Sequence, residues 1–250
     1  MITDKPVVIL IDRGLLDGSA YVHQHEWQAL MDDLNMNPVQ MRELRYDAVL
    51  HLVTAADGAV PFYASLTNEA RYESVDEAVE KDKKLRSCYM SHRSYHLIDN
   101  SYPDFKSKIN AAKQKVHHVL GREGGTTFHK KFLLKKSMTR NMALTSVPIN
   151  LPEGQHYEES EITETFINYK TNEGKVKEAS IEKKGSNMAY AYTLKITLEK
   201  KDTLVNKKRS ISAAEYIDYK QNKVQGLETL HCQRISMMDG GLYILIDFYP

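Results

Sequence analysis

Asp12 and Arg13 follow directly on the run Val7-Val8-Ile9-Leu10-Ile11. Such a short, mostly β-branched run is the form taken by a strand buried on both faces. In open parallel sheets, ligands gather beyond the carboxyl ends of strands, so this dipeptide would face a crevice. A carboxylate there can hold Mg²⁺ through water or orient a nucleophile, and the guanidinium beside it can clamp a phosphoryl group through paired hydrogen bonds. Taken alone, the dipeptide reads equally well as a solvated turn. Two further strand ends carry related residue types: Ala48–Val53 leads into Thr54-Ala55-Ala56-Asp57-Gly58, and Tyr95–Ile98 into Asp99-Asn100-Ser101. Arg71 lies just before a helix opening at Ser74, where an arginine can reach phosphates from a lid.

These residues need a sheet to present them and helices to cover it. Residues 1–121 alternate apolar strands with amphipathic helices, the pattern of a parallel α/β unit. Trp27, Leu30, Met31 and Leu34 recur at helical spacing. Ser74 with Glu77 forms a capping box before Val75, Ala78, Val79, Leu85 and Tyr89, and the mixed run Glu80-Lys81-Asp82-Lys83-Lys84 reads as a solvated face. Phe105, Ile109, Ala112, Val116 and Leu120 form one stripe that stops at Gly121. Gly124-Gly125-Thr126-Thr127 then marks a hinge-like boundary, after which the apolar period shifts toward two. Residues 122–250 therefore read as a second, α+β and mostly antiparallel unit. Its expected strands are Glu164–Tyr169, Val176–Ile181, Ala189–Leu198 and Tyr243–Phe248, with a short capped helix from Ser212 to Tyr219.

Composition narrows the function classes. The chain has 250 residues, 42% hydrophobic, with 34 basic and 33 acidic side chains. A near-neutral molecule offers no whole-chain field for nucleic acid. No apolar run approaches the ~18 residues of a membrane span, and Met1–Pro6 lacks the features of a secretory signal, so a cytoplasmic protein, peripheral at membranes if it meets them, is expected. Charge is divided: the first 121 residues hold 14 basic and 17 acidic residues, the remainder 20 and 16. The second half is the better partner for an anion. Two distant cysteines suggest buried thiols rather than a disulfide or zinc site. The His23/His25 and His117/His118 pairs lack metal-binding spacing, and no G-x-S-x-G hydrolase elbow occurs.

The segments around Asp12-Arg13, Thr54–Gly58, Arg71 and Asp99–Ser101 resemble the later part of a P-loop kinase-type domain of the NadR/TRPL-translocation-defect AAA family. The resemblance covers nearly all of residues 5–121. It implies a Walker-B-like role for Asp12, as base or Mg²⁺ ligand, a phosphate-binding role for Arg13, a lid role for Arg71, and positions near the base for Asp99, Asn100 and Ser101. Such a domain opens on a glycine-rich loop, yet no G-x-x-x-x-G-K-[ST] occurs in the sequence. A fragment or short isoform that binds nucleotide without intact catalysis is the expectation.

In the second half, Ile162–Ile167, Ala189–Lys195, Arg209–Tyr216 and Tyr243–Tyr249 resemble a CYTH-like, triphosphate-tunnel domain, an antiparallel barrel that here would be incomplete. That family's tunnel carries alternating glutamates and paired arginines, whereas this chain has Lys130–Lys136 on its first strand, with Ser180 and Glu182 where arginines would stand. Lys135, Lys177, Lys183, Lys184, Lys195 and Arg209 remain as a candidate anion or phospholipid surface. Together the resemblances imply a regulator that binds GTP or ATP with Mg²⁺, binds a phosphoinositide or other anionic phospholipid headgroup, and handles membrane-protein cargo in trafficking. The alternative is a small-molecule kinase similar to the ribosylnicotinamide kinases, moving the γ-phosphoryl of ATP or GTP to a nucleoside.

Overall fold

A computed structural model describes residues 7–63, 73–121, 132–133, 157–186, 189–200, 203–239 and 242–250. Arg71, Lys135, the Gly124–Thr127 hinge and most of the Lys130–Lys136 segment lie outside them. The first half begins with a 3-10 turn, Leu15–Ala20, followed by α1 (Gln24–Asp33), α2 (Pro38–Glu43), β1 (Val49–Leu52), α3 (Val75–Tyr89), β2 (Tyr95–Ile98) and α4 (Phe105–Val119). β1 and β2 pair in parallel, Val49 opposite Tyr95 and Leu52 opposite Ile98. The crossover between them is α3, whose capping box forms as the sequence indicates, with the Ser74 hydroxyl accepting from the Glu77 amide. α4 starts at an Asp104 cap and ends at Gly121, whose φ of +65° is the left-handed turn that favours glycine.

Val7–Ile11, expected as a buried strand, belongs to no ladder, and its five side chains are 46–82% exposed. A doubly buried strand needs a neighbour to take up its backbone groups, and the described parallel sheet has only two strands. Phe105 also departs from expectation: at the first position of α4 it is 73% exposed, whereas Ile109, Ala112, Val116 and Leu120 of the same stripe are half-buried.

The second half is one six-stranded antiparallel sheet in the order β6-β5-β4-β3-β7-β8. Its strands are β3 (Glu158–Phe166), β4 (Lys175–Ser186), β5 (Ala189–Lys200), β6 (Thr203–Ile211), β7 (Leu230–Asp239) and β8 (Leu242–Phe248), with α5 (Ala213–Lys220) between β6 and β7. β6 and β7 were not among the expected strands. Side chains alternate across the sheet and give its faces different characters. One face carries Ala179, Ile181, Leu194 and Ile211, which pack with Tyr216 of α5, together with Ile235, Met237 and Ile246. The opposite face carries Glu158, Glu164, Glu182, Lys184, Lys195, Arg234 and Asp247, in register across five strands.

The first half sits on this polar face. Val39 of α2 packs on Ala189 and Ala191, and Arg42 makes a two-pronged bond to Glu158, both contacts at 2.5 Å. Glu43, 1% exposed, accepts from Lys184 Nζ at 2.9 Å and from the Arg93 amide at 3.1 Å. Its own carbonyl accepts from the Ser210 hydroxyl at 3.0 Å and from the Arg93 guanidinium. Lys184 also donates to the Ser91 carbonyl. Burial alone would raise the Glu43 carboxyl, but Lys184 and Arg42 outweigh it and hold the pKa at about 2. Beside this cluster, His92 is 1% exposed. Its Nε2 faces the Tyr46 carbonyl at 3.0 Å and its Nδ1 faces the Ser94 amide at 3.0 Å. That pairing suits only the neutral ring protonated at Nε2. Burial pushes its pKa down to about 4, with the Arg93 and Lys184 charges acting in the same sense and Glu43 opposing.

Acid should therefore loosen the fold in two stages. The unfolded chain binds a proton at His92 near pH 6.5 while the folded chain refuses it until about 4, so stability falls across that window by about 3 kcal/mol. Glu43 continues the loss from about 4.5 to about 2. His96, whose pKa burial also lowers to about 4, acts in the same window, so the thermal midpoint, followed by circular dichroism, should drop by at least about 10 °C between pH 7 and 4, and His92→Gln should lessen that drop; an equal drop in the variant refutes the assignment. Lys184→Ala, which strands the Glu43 carboxylate, should cost about 3 kcal/mol in urea unfolding at pH 7, whereas a loss below about 1 kcal/mol would show the pair to be dispensable.

Candidate functional site

The first half folds around a trough of about 770 Å³. One wall is Ile11–Gly14, the second is Ala48–Leu52 with Thr54, and the third is the α3 face of Ala78, Lys81, Asp82, Leu85 and Tyr89. Asp12 and Arg13, the two residues the sequence singles out most strongly, thus reach the same cavity. Arg13 holds a left-handed backbone, φ +70°, uncommon for a residue with a side chain. Its guanidinium donates to the Tyr21 hydroxyl at 3.2 Å and stands 3.7 Å from Asp17, and it remains 65% exposed. The next residue must be glycine for a steric reason: a Cβ on Gly14 would lie 1.8 Å from the Tyr89 hydroxyl oxygen. That hydroxyl accepts from the Leu16 amide at 3.1 Å, and the Tyr46 hydroxyl accepts from the Leu15 amide at 2.8 Å. Two tyrosines therefore fix the turn that carries Asp12 and Arg13.

Asp99, Asn100 and Ser101 do not line the trough. Ser101 bonds back to Asp99 through its amide at 3.1 Å and its hydroxyl at 2.6 Å, a local turn that holds the Asp99 carboxyl below its usual range. Asn100 donates to the carbonyls of Thr54 and Asp57 at 2.7 and 2.6 Å and accepts from Lys108, which also donates to the Val53 carbonyl at 2.7 Å. The segment after β2 braces the loop after β1.

A charged group that the sequence reading passed over lies on the trough wall. Asp82 is 6% exposed and accepts from His51 Nε2 at 3.1 Å, from the Thr54 amide at 3.0 Å and from Arg86 Nε at 2.6 Å. Arg86 reaches on to Asp57 at 2.7 Å. Burial opposes the charge on Asp82, but these donors hold its carboxyl below the ordinary range. Lys81 also lines the trough, paired with Glu73 and lying 5.2 Å above the Tyr21 ring. The run Glu80–Lys84 is thus not a purely solvated face. The signal was the helical period, since Asp82 stands four residues after Ala78 and three before Leu85, on the apolar stripe.

The described candidate anion residues of the second half are divided between the two sheet faces and a pair near the ends of β4 and β5. Lys184 is buried against Glu43. Lys195, on the same face, bonds Glu182 at 2.5 Å and Glu164 at 3.1 Å, while Arg234 pairs with Asp247 at 2.6 and 2.8 Å. Lys183 and Arg209 lie on the α5 face, Lys183 3.6 Å over the Tyr190 ring and Arg209 bonded to Glu215 at 3.1 Å. Lys177 pairs with Glu199 at 3.0 Å. Among the described residues no group of three or more His, Cys, Asp or Glu side chains is gathered to hold a metal ion, and no helix is long and apolar enough to cross a membrane.

Asp82→Ala would leave Arg86 and His51 facing a buried gap and remove the acceptor of the Thr54 amide. We expect a loss of about 3 kcal/mol in urea unfolding; a change within 0.5 kcal/mol would mean the cluster supports nothing.

No curated protein and no solved structure matches the chain. Residues 2–106 match the family model described as an AAA domain, which supports a P-loop-type, nucleotide-binding kind of domain for the first half.

Proposed function

We propose that the chain is a nucleotide-binding regulatory protein that holds Mg²⁺-bound GTP or ATP at the Asp12–Arg13 mouth of the trough, without turning it over. The observation that carries this reading is Arg13, held in a left-handed backbone just before the two tyrosine-anchored amides of Leu15 and Leu16, its side chain still mostly open to solvent at the cavity. A guanidinium so exposed can take phosphate oxygens, in exchange at Nη1 for its contacts to Tyr21 and Asp17. Asp12 is exposed beside it. One carboxylate is enough for a Mg²⁺ ion that arrives with the nucleotide and keeps most of its waters. Mg²⁺ would supply charge neutralisation along the phosphates, and Asp12 would hold it.

The kinase alternative draws on the same two residues, but phosphoryl transfer also needs backbone amides and a lysine around the β- and γ-phosphates. The sequence has no glycine-rich loop of that form. The phosphoinositide and cargo roles have less support, since the described cations of that set are divided between the two faces of the sheet, and Lys184 is buried.

Titration of fluorescently labelled GTP and ATP with Mg²⁺ tests the proposal. Binding should weaken about tenfold in Arg13→Ala, the equivalent of about 1.4 kcal/mol, and Asp12→Ala should remove the Mg²⁺ dependence with little effect on metal-free binding. No phosphate should be released. Affinity unchanged in Arg13→Ala, or no binding at millimolar nucleotide, sinks the proposal; release of phosphate or labelling of a nucleoside acceptor selects the kinase.

A further inference from the structure

Charge inside the trough is uneven. Four carboxylates line it, Asp12, Asp17, Glu73 and Asp82, and among the described residues on its walls the lysine and arginine side chains are two, Arg13 and Lys81. A polyanion in the trough is repelled along most of its charged lining and held where those two cations stand. They come from separate walls, Arg13 from the turn after Ile11 and Lys81 from α3. Tyr21 joins them. The Arg13 guanidinium donates to its hydroxyl at 3.2 Å, and the Lys81 ammonium stands 5.2 Å from the centre of its ring. Lys81 thus lies over the ring face and Arg13 at the hydroxyl end, so one aromatic ring spaces the two charges.

Each cation is held by a carboxylate of its own. The Arg13 side chain, 65% exposed, stands 3.7 Å from Asp17, and Lys81 donates to Glu73, these two being 36 and 37% exposed. Pairs this open to solvent are weak, because water screens them and long side chains lose freedom in holding them. A phosphate oxygen can therefore replace either carboxylate and leave a charge-assisted bond in its place. Asp82 differs: it is buried and committed to Arg86, His51 and the Thr54 amide. A single phosphate group satisfies one cation. A chain of two or three phosphates carries successive charges, which suits two cations set apart by a ring.

We propose that Lys81 is a second phosphate-binding residue of the trough, and that the trough selects nucleoside di- and triphosphates over monophosphates because their phosphate chain reaches from Arg13 to Lys81 past the Tyr21 ring. The proposal rests on the nucleotide reading of the trough and adds to it a residue and a rule of selection. Glu73 is then an internal competitor, which occupies Lys81 in the ligand-free chain and yields it to a phosphate. Because this lysine stands on a helix and not in a glycine-rich loop, it supplies charge without the cradle of amides that phosphoryl transfer requires. Binding without turnover follows from that difference.

Titration of the full chain with the fluorescently labelled tri-, di- and monophosphates of guanosine and adenosine, each with Mg²⁺, tests it. The triphosphate of the preferred base should bind at least about tenfold more tightly than its monophosphate. Lys81→Met should weaken the tri- and diphosphates about tenfold and leave the monophosphate within about twofold, with unchanged circular dichroism. Glu73→Gln, which removes the competitor, should strengthen triphosphate binding at least about threefold. Lys83→Met takes the same charge from the same helix outside the trough, where Lys83 pairs with Glu80, and should change none of these affinities. A monophosphate bound as tightly as the triphosphate overturns the proposal. So does a Lys81→Met variant that keeps the selectivity or loses all three ligands equally, a Glu73→Gln variant with no gain, or a Lys83→Met variant with the same loss as Lys81→Met. Where Arg13→Ala still weakens the triphosphate in those cases, the nucleotide site stands without Lys81; where no nucleotide binds at millimolar concentration, the site and the proposal fall together.

Discussion

A carboxylate buried where two differently built halves meet is the constraint on which the arrangement depends. Glu43 ends a six-residue helix, where its charge sits at the negative end of the helix dipole and gains nothing from it. It is tolerated because Lys184, Arg42 and the Arg93 amide surround it, each from a different element. Removing a buried charge is often harmless when its partners go too, whereas removing one partner is not. Lys184, Arg42 and Arg93 are therefore tied to Glu43 as a group, and they fix where the small parallel unit rests on the antiparallel sheet. Tyr46 and Ser94, which set the His92 tautomer, belong to the same seam, so the trough walls inherit their positions from it.

The polar face of the six-stranded sheet follows from the same logic. A face bearing Glu164, Glu182, Lys195, Arg234 and Asp247 is not a hydrophobic seat, yet its charges are matched almost one for one at 2.5–3.1 Å. Matched ions present little net field. Part of the face can therefore be covered by α2 and the Ser91–Arg93 turn without leaving large uncompensated charge. The opposite face is an ordinary apolar core under α5.

Local features were legible from the sequence because they depend on a few adjacent residues. The Ser74, Ser212 and Gly121 helix boundaries and the β2 strand appear where residue chemistry placed them, and a parallel sheet is followed by an antiparallel one. Val7–Ile11 was misread since apolar β-branched composition states a preference for burial, not the presence of a neighbouring strand to provide it. Asp82 was missed because a run of mixed charges looks solvated until the helical period is applied residue by residue. The Glu43 seam was not legible at all: Arg42–Glu158 and Glu43–Lys184 are separated by 116 and 141 residues, and no local pattern encodes such a meeting. Of the site residues, Asp12 and Arg13 both line the trough, whereas Asp99–Ser101 serve the loop beside it.

Those sequence separations also bear on the order of assembly. The hairpins β4–β5 and β5–β6 and the helix caps join residues close in the chain, while the bond from Ser210 to the Glu43 carbonyl spans 167 residues. Contacts of high contact order repay their loop-closure entropy only after the elements they join exist. By that reasoning the seam is expected to form late, when two preorganised surfaces dock, with its energy on the native side of the rate-limiting barrier. Interactions placed there govern how long the folded state survives more than how fast it is reached. The buried ion cluster is, in kinetic terms, a latch on escape rather than a guide to folding.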